Sequence, residues 1–113
     1  MKLSYEDHGP VTVLTVSGEL TADYVDTFRR SLNERFEAGI RDIVLAMECV
    51  TFVDSLGLEA LLWIIDAAAE RGGQLRLVEP DDTISKILEI TRLDRRFDVH
   101  ESVESAAKSL RGA

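Results

Sequence analysis

The spacing of apolar and polar positions changes several times along the chain, and each change marks an element. Residues 11–17, Val-Thr-Val-Leu-Thr-Val-Ser, form a short run rich in β-branched side chains, which favours a strand. His8-Gly9-Pro10 reads as a turn from a shorter strand before it, and Gly18 is expected to end it. From about Asp23 to Ala38 the period is helical, with Val25, Phe28, Leu32 and Phe36 recurring between charges. Thr21 or Asp23 is expected to cap that helix, and Gly39 suits the left-handed residue after it. Ile40 to Met47 holds a continuous apolar run, Ile43-Val44-Leu45-Ala46-Met47, the pattern of a strand covered on both faces.

The second half repeats the alternation. Phe52-Val53-Asp54-Ser55 leads into a helix of about Leu56 to Arg71, closed by Gly72-Gly73. Leu75-Arg76-Leu77-Val78 reads as a strand stopped by Pro80. Ile84, Ile87, Leu88 and Thr91 define a third helix, and Phe97-Asp98-Val99 a short strand. Val103, Ala106, Ala107 and Leu110 give a last amphipathic helix with Ser102 as its cap. The order β-β-α-β-α-β-α-β-α predicts an α/β fold: a mixed sheet, an initial hairpin followed by parallel strands, with about four helices. No repeat or linker divides the 113 residues, so one domain, 1–113, is expected.

Composition narrows the function. Thirteen basic against 21 acidic residues leave a net charge of −8, which argues against nucleic-acid binding by phosphate neutralisation. It argues equally against adsorption to anionic lipid. The longest apolar stretch, Leu56 to Ala69, is broken by Glu59 and Asp66 and is too short to span a bilayer. Met1 to His8 meets acidic residues at once and lacks the apolar segment of a signal peptide, so the cytoplasm is the expected location. Cys49 is the single cysteine, and a lone thiol reads as packing. His8 and His100 lie far apart with no ligand cluster, so no metal is expected. The usual glycine-rich nucleotide cradles are absent, as is the Gly-x-Ser-x-Gly setting of a hydrolase serine; neither a cofactor nor an enzyme is expected.

Chemistry concentrates at Thr51-Phe52-Val53-Asp54-Ser55-Leu56-Gly57-Leu58-Glu59. Ser55 falls where the second helix starts, at the carboxyl end of a strand, the usual place for functional residues in such sheets. A hydroxyl there can accept from a free N–H of the first turn, and the same N–H groups and the helix dipole favour a phosphoryl group on it. Asp54 opposes that charge. A plain helix cap also accounts for Asp54 and Ser55 without any further role. On a helical wheel Leu58, Leu61, Ile65 and Ala68 share one face, while Glu59, Asp66 and Glu70 face water. Trp63 falls near the wet side, with Leu56, Ala60 and Ala67 along one flank. It reads either as an anchor for a partner or as a side chain folded back on a neighbouring element.

These residues carry a resemblance. Asp54-Ser55-Leu56-Gly57-Leu58 resembles the D-S-[ST]-G-[LI] signature of the STAS domain of bacterial anti-sigma factor antagonists. Gly18-Glu19-Leu20, Ile43-Val44-Leu45, Val50-Thr51-Phe52-Val53 and Gly72-Gly73-Gln74-Leu75-Arg76-Leu77-Val78 match further landmarks in place and order, as do 90–94 and 97–100. The resemblance implies a binding module and not an enzyme. In it the unphosphorylated protein captures an anti-sigma factor serine/threonine kinase and frees a sigma factor. ATP-dependent phosphorylation of Ser55, supported by Asp54, weakens that complex, and a metal-dependent serine phosphatase reverses it. The contact surface is then expected at Leu56, Gly57, Glu59, Ala60 and Trp63, bordered by Glu19, Thr21 and Asp23. Leu56, Glu59 and Thr21 depart from the family's Ser or Thr, Gly and Asp at those places. They motivate the alternative of a non-switching STAS subunit in a lipid-transport ABC ATPase complex or a larger signalling assembly.

Overall fold

The computed structural model describes residues 1–111, built as β1 (Lys2–His8), β2 (Val11–Leu20), α1 (Val25–Glu37), β3 (Asp42–Val53), α2 (Ser55–Glu70), β4 (Leu75–Val78), α3 (Asp82–Ile90), β5 (Val99–His100) and α4 (Val103–Arg111). A single 3₁₀ turn, Asp94–Arg96, precedes β5. The order is the one the sequence predicts, an α/β domain with four helices and a mixed sheet.

The five strands stand in sequence order, β1-β2-β3-β4-β5. β1 and β2 are an antiparallel hairpin paired from Lys2↔Ser17 to His8↔Val11, and every later pair is parallel. Each parallel crossover therefore steps one place in the same direction. Right-handed crossovers then put α1, α2 and α3 on one face of the sheet. The core bears this out: Phe28, Leu32 and Phe36 of α1, Leu61 and Ile64 of α2, and Ile84 and Leu88 of α3 pack with Leu14, Leu45, Met47 and Leu77 from one side of the strands. α4 covers the other face through a smaller cluster of Val44, Val78 and Ala106, with Val11, Val13 and Leu110 beside it. Arg76 ties β4 to this back layer, donating from Nε to Ser109 Oγ at 2.9 Å and pairing with Asp98 at 3.3 Å.

Several boundaries differ from the sequence expectation. β2 does not end at Gly18 but continues to Leu20, and β3 runs to Val53, because the two extensions pair with each other. Register shifts at Thr15/Ser17 and Gly18/Glu19 break the twofold alternation there, which hides both extensions from a periodicity reading. Neither Thr21 nor Asp23 caps α1; Tyr24 holds the cap position without a side-chain bond, and the Thr21 carbonyl accepts from Tyr24 and Val25 N–H instead. The fifth strand is Val99–His100, and Phe97 is buried just before it. Ser102 does cap α4, accepting from Ser105 N–H at 3.0 Å.

Three helices end in the same closed turn. After α2, Gly72 N–H donates to Ala69 O at 3.0 Å and Gly73 N–H to Ala68 O at 2.8 Å, with Gly72 at φ +74. α1 closes the same way on Gly39. α3 also does, with Arg92 N–H to Glu89 O and Leu93 N–H to Leu88 O, yet its left-handed residue is Arg92 at φ +61. A side chain in that conformation is strained by about 1 kcal/mol. Arg92→Gly is expected to raise unfolding stability by roughly 0.5–1 kcal/mol in urea denaturation, less what the added chain freedom of glycine removes.

Candidate functional site

β3 ends at Val53 and α2 begins at Ser55, so Asp54 is the joint between them. Its extended backbone, φ −91 and ψ −175, turns its carboxylate back over the helix start. Oδ1 accepts from Gly57 N–H at 2.8 Å, and Oδ2 accepts from Ala22 N–H at 2.8 Å. Asp54 N–H itself donates to Leu20 O at 3.3 Å. One side chain thus caps α2 and fastens the segment after β2 to it.

The two backbone donors hold the Asp54 carboxyl below the ordinary aspartate value of 3.8, Gly57 contributing most and Ala22 next. The sign follows. A carboxyl lowered in the folded state adds stability above the unfolded value, and that stability is lost as pH falls through the folded one. Asp54→Asn keeps one acceptor and turns an amide N–H₂ toward the second donor. The variant is expected to melt at a lower temperature near neutral pH and to show a smaller loss of stability on acidification, read from thermal melts over a pH series.

Gly57 fits where no side chain does. A Cβ on it would stand 2.2 Å from Leu20 O and 2.8 Å from Val53 Cγ1, so the first turn of α2 lies directly on the ends of β2 and β3. Gly57 and Ala60 are buried, so they offer no outward side chain at the expected contact surface. Trp63 is half-buried and takes the folded-back reading. Its ring meets Phe36 of α1 edge-on at 6.4 Å, and the Arg29 guanidinium lies 4.6 Å over it. The wheel misplaced this flank because α2 is the middle helix of its layer, covered by α1 as well as by the sheet.

Ser55, Leu56 and Glu59 are exposed, and so are Glu19 and Asp23, while Thr21 is half-buried. Ser55 is the first helical residue and not the cap; among the described residues its hydroxyl has no hydrogen-bond partner, since Asp54 does the capping. α2 carries no acidic side chain in its first turn. A group on Ser55 Oγ would therefore meet unsatisfied N–H groups of the first turn and the Asp54 carboxylate together. Glu59, four residues on, shares the same side of the helix. Sequence reasoning missed three features here. The Ala22 N–H that completes the Asp54 bridge is a backbone group with no compositional signal. Tyr24 and Phe52, exposed at 40% and 43%, stand on the segments Asp54 joins. The Phe52 position was hidden by the register shift in β2–β3.

No group of three or more histidine, cysteine or carboxylate side chains suited to a metal occurs among the described residues. No described helix is long and apolar enough to cross a membrane.

The site is thus an exposed serine at a helix start, on a mixed sheet of sequentially ordered strands. The STAS domain model matches residues 2–106, and the chain belongs to the STAS family. A Staphylococcus aureus anti-sigma-B factor antagonist is 30% identical over 89 residues, covering 79% of this chain and 82% of that one. A Thermotoga maritima crystal structure superposes with a TM-score of 0.89 at 24% identity, covering 96% and 94% of the two chains. The anti-sigma factor antagonist SpoIIAA in its unphosphorylated form superposes with a TM-score of 0.77 at 21% identity, covering 99% and 100%.

Proposed function

We propose that this protein is a cytoplasmic anti-sigma factor antagonist in a partner-switching pathway. In its unphosphorylated form it binds an anti-sigma factor serine/threonine kinase and so frees a sigma factor. Phosphorylation on Ser55 weakens the complex, and a metal-dependent serine phosphatase restores it. The observation that carries this reading is the free, exposed Ser55 hydroxyl held at the start of α2 by the Asp54 bridge. A purely structural cap needs only Asp54. The relatives support the same reading: one is named an anti-sigma-B factor antagonist, and SpoIIAA is known in a phosphorylated form.

The bridge gives the switch a physical basis. Asp54 is charged at neutral pH, so a phosphoryl group beside it, carrying about −1.5 to −2, turns the exposed end of α2 strongly negative. The helix end tolerates that charge, and a partner surface built for the neutral hydroxyl does not. The test is reconstitution with the anti-sigma kinase of the same organism. With ATP, mass spectrometry is expected to find phosphate on Ser55 and sigma factor is expected to return to the kinase. A protein that neither binds the kinase nor accepts phosphate on Ser55 would overturn the reading.

A further inference from the structure

β4 leaves the sheet early. Its last rung with β3 is Ala46↔Val78, and at Glu79 the backbone enters the left-handed region at φ +48. β3 runs on to Val53, paired on its other side with β2 as far as Leu20↔Val53. Among the described residues no strand pairs with the β4-side edge of β3 beyond Ala46. The N–H and C=O groups of a strand point to both sides, so the groups of this stretch on that side have no strand to bond. Glu48, Cys49, Thr51 and Phe52 along it are exposed.

Where the strands part, the rungs Ala46↔Val78 and Val78↔His100 set three glutamates just past them on neighbouring strands: Glu48 on β3, Glu79 just after β4 and Glu101 just after β5. Glu79 N–H donates to His100 O at 3.0 Å, which fixes its place beside β5. The Glu79 carboxyl is raised above its ordinary value, first by the hydrogen bond it shares with Glu48, then by burial and by the charges of Glu48 and Glu101. Among the described residues none of the three makes an ion pair. The cluster is a concentration of negative charge without a cation, at the foot of an open strand edge.

We propose that the edge of β3 beyond Ala46 receives an extended, basic segment of a partner protein as an added strand, its lysine or arginine side chains seated among Glu48, Glu79 and Glu101. Only another strand matches a row of backbone donors and acceptors, and cations relieve the repulsion among the carboxylates. A second copy of this chain does not fit: its net charge is −8, and its own outer strand β1 carries Glu6 and Asp7 just before its last residue, His8. The surface runs along β3 up to the Asp54–Ser55 turn and takes in Phe52.

The test uses the full chain, labelled with ¹⁵N, and a capped hexapeptide of alternating lysine and valine. The amide signals of Glu48 to Phe52 are expected to shift on titration. Methylating alternate peptide nitrogens, which removes strand hydrogen bonds, is expected to weaken binding by about tenfold. The Glu48→Gln/Glu79→Gln double variant, exposed and without core contacts, is expected to bind the peptide several-fold more weakly. Shifts centred elsewhere, no binding, or equal binding of the methylated peptide would overturn the proposal. So would a double variant that self-associates without any parent response to the peptide, because the carboxylates would then serve only to guard the edge against other strands. Kinase binding by the parent protein, measured in parallel, separates failure here from failure of the antagonist reading.

Discussion

Gly73→Ala is expected to destabilise the domain by roughly 3 kcal/mol, a large share of the 5–15 kcal/mol typical of a small domain. Gly73 closes the turn after α2 and passes directly over the chain entering β3. A Cβ there would stand 1.8 Å from Arg41 O and 2.4 Å from Arg41 C. The obstacle is backbone, and it is held. Arg41 and Asp42 N–H both donate to Pro10 O, at 2.8 and 3.0 Å, and Asp42 Oδ1 accepts from Gln74 N–H at 2.8 Å. Neither side yields without breaking one of these bonds. Gly72→Ala provides the comparison: its left-handed backbone strains a side chain by about 1 kcal/mol, but its Cβ would meet nothing nearer than Arg41 Cδ at 3.9 Å. Urea denaturation with an unchanged slope separates the two. Equal costs for both variants would show that the Arg41 contact relaxes.

Ser55→Asp is expected to lower affinity for the anti-sigma kinase by about tenfold, and phosphorylation of Ser55 by more. Aspartate supplies one charge and fewer acceptor oxygens than phosphate, but at the same place. It stands between Asp54, already ionised through its two backbone donors, and Glu59 one turn further along. Ser55→Ala removes only the exposed hydroxyl and is expected to keep parent affinity while losing the response to ATP. Because Asp54 and not Ser55 caps the helix, neither substitution should change the melting temperature by more than a surface change does. Calorimetric titration against the kinase, with melts of the same samples, checks both halves. Unchanged affinity for Ser55→Asp would remove the electrostatic account of the switch.

Much of this was legible in the sequence because the signals were local. The apolar run Ile43 to Met47, the glycines after α1 and α2, and the helical spacing of Phe28, Leu32 and Phe36 each specify an element through backbone or burial rules that need no neighbours. What escaped depended on other elements. The far halves of β2 and β3 are strands only because they pair with each other through shifted register. Trp63 turned inward because α1 lies along a flank that the wheel left to solvent. At the turn, the pattern located Asp54 and Ser55 together but did not divide their work: the capping oxygen is Asp54's, and its second bond reaches Ala22, 32 residues away.

The sequential strand order has a consequence for how the molecule forms. Every strand pairs with the one made just before it, so no rung waits for a distant part of the chain. Each new strand, with its connecting helix, closes a single crossover onto an existing edge, so the closures follow one another along the chain rather than nest. A ribosome-bound chain can therefore extend the sheet in the direction of synthesis. α4, emerging after β5, seals the back face over Val44 and Val78, so the start of the sheet need not be undone to admit its end.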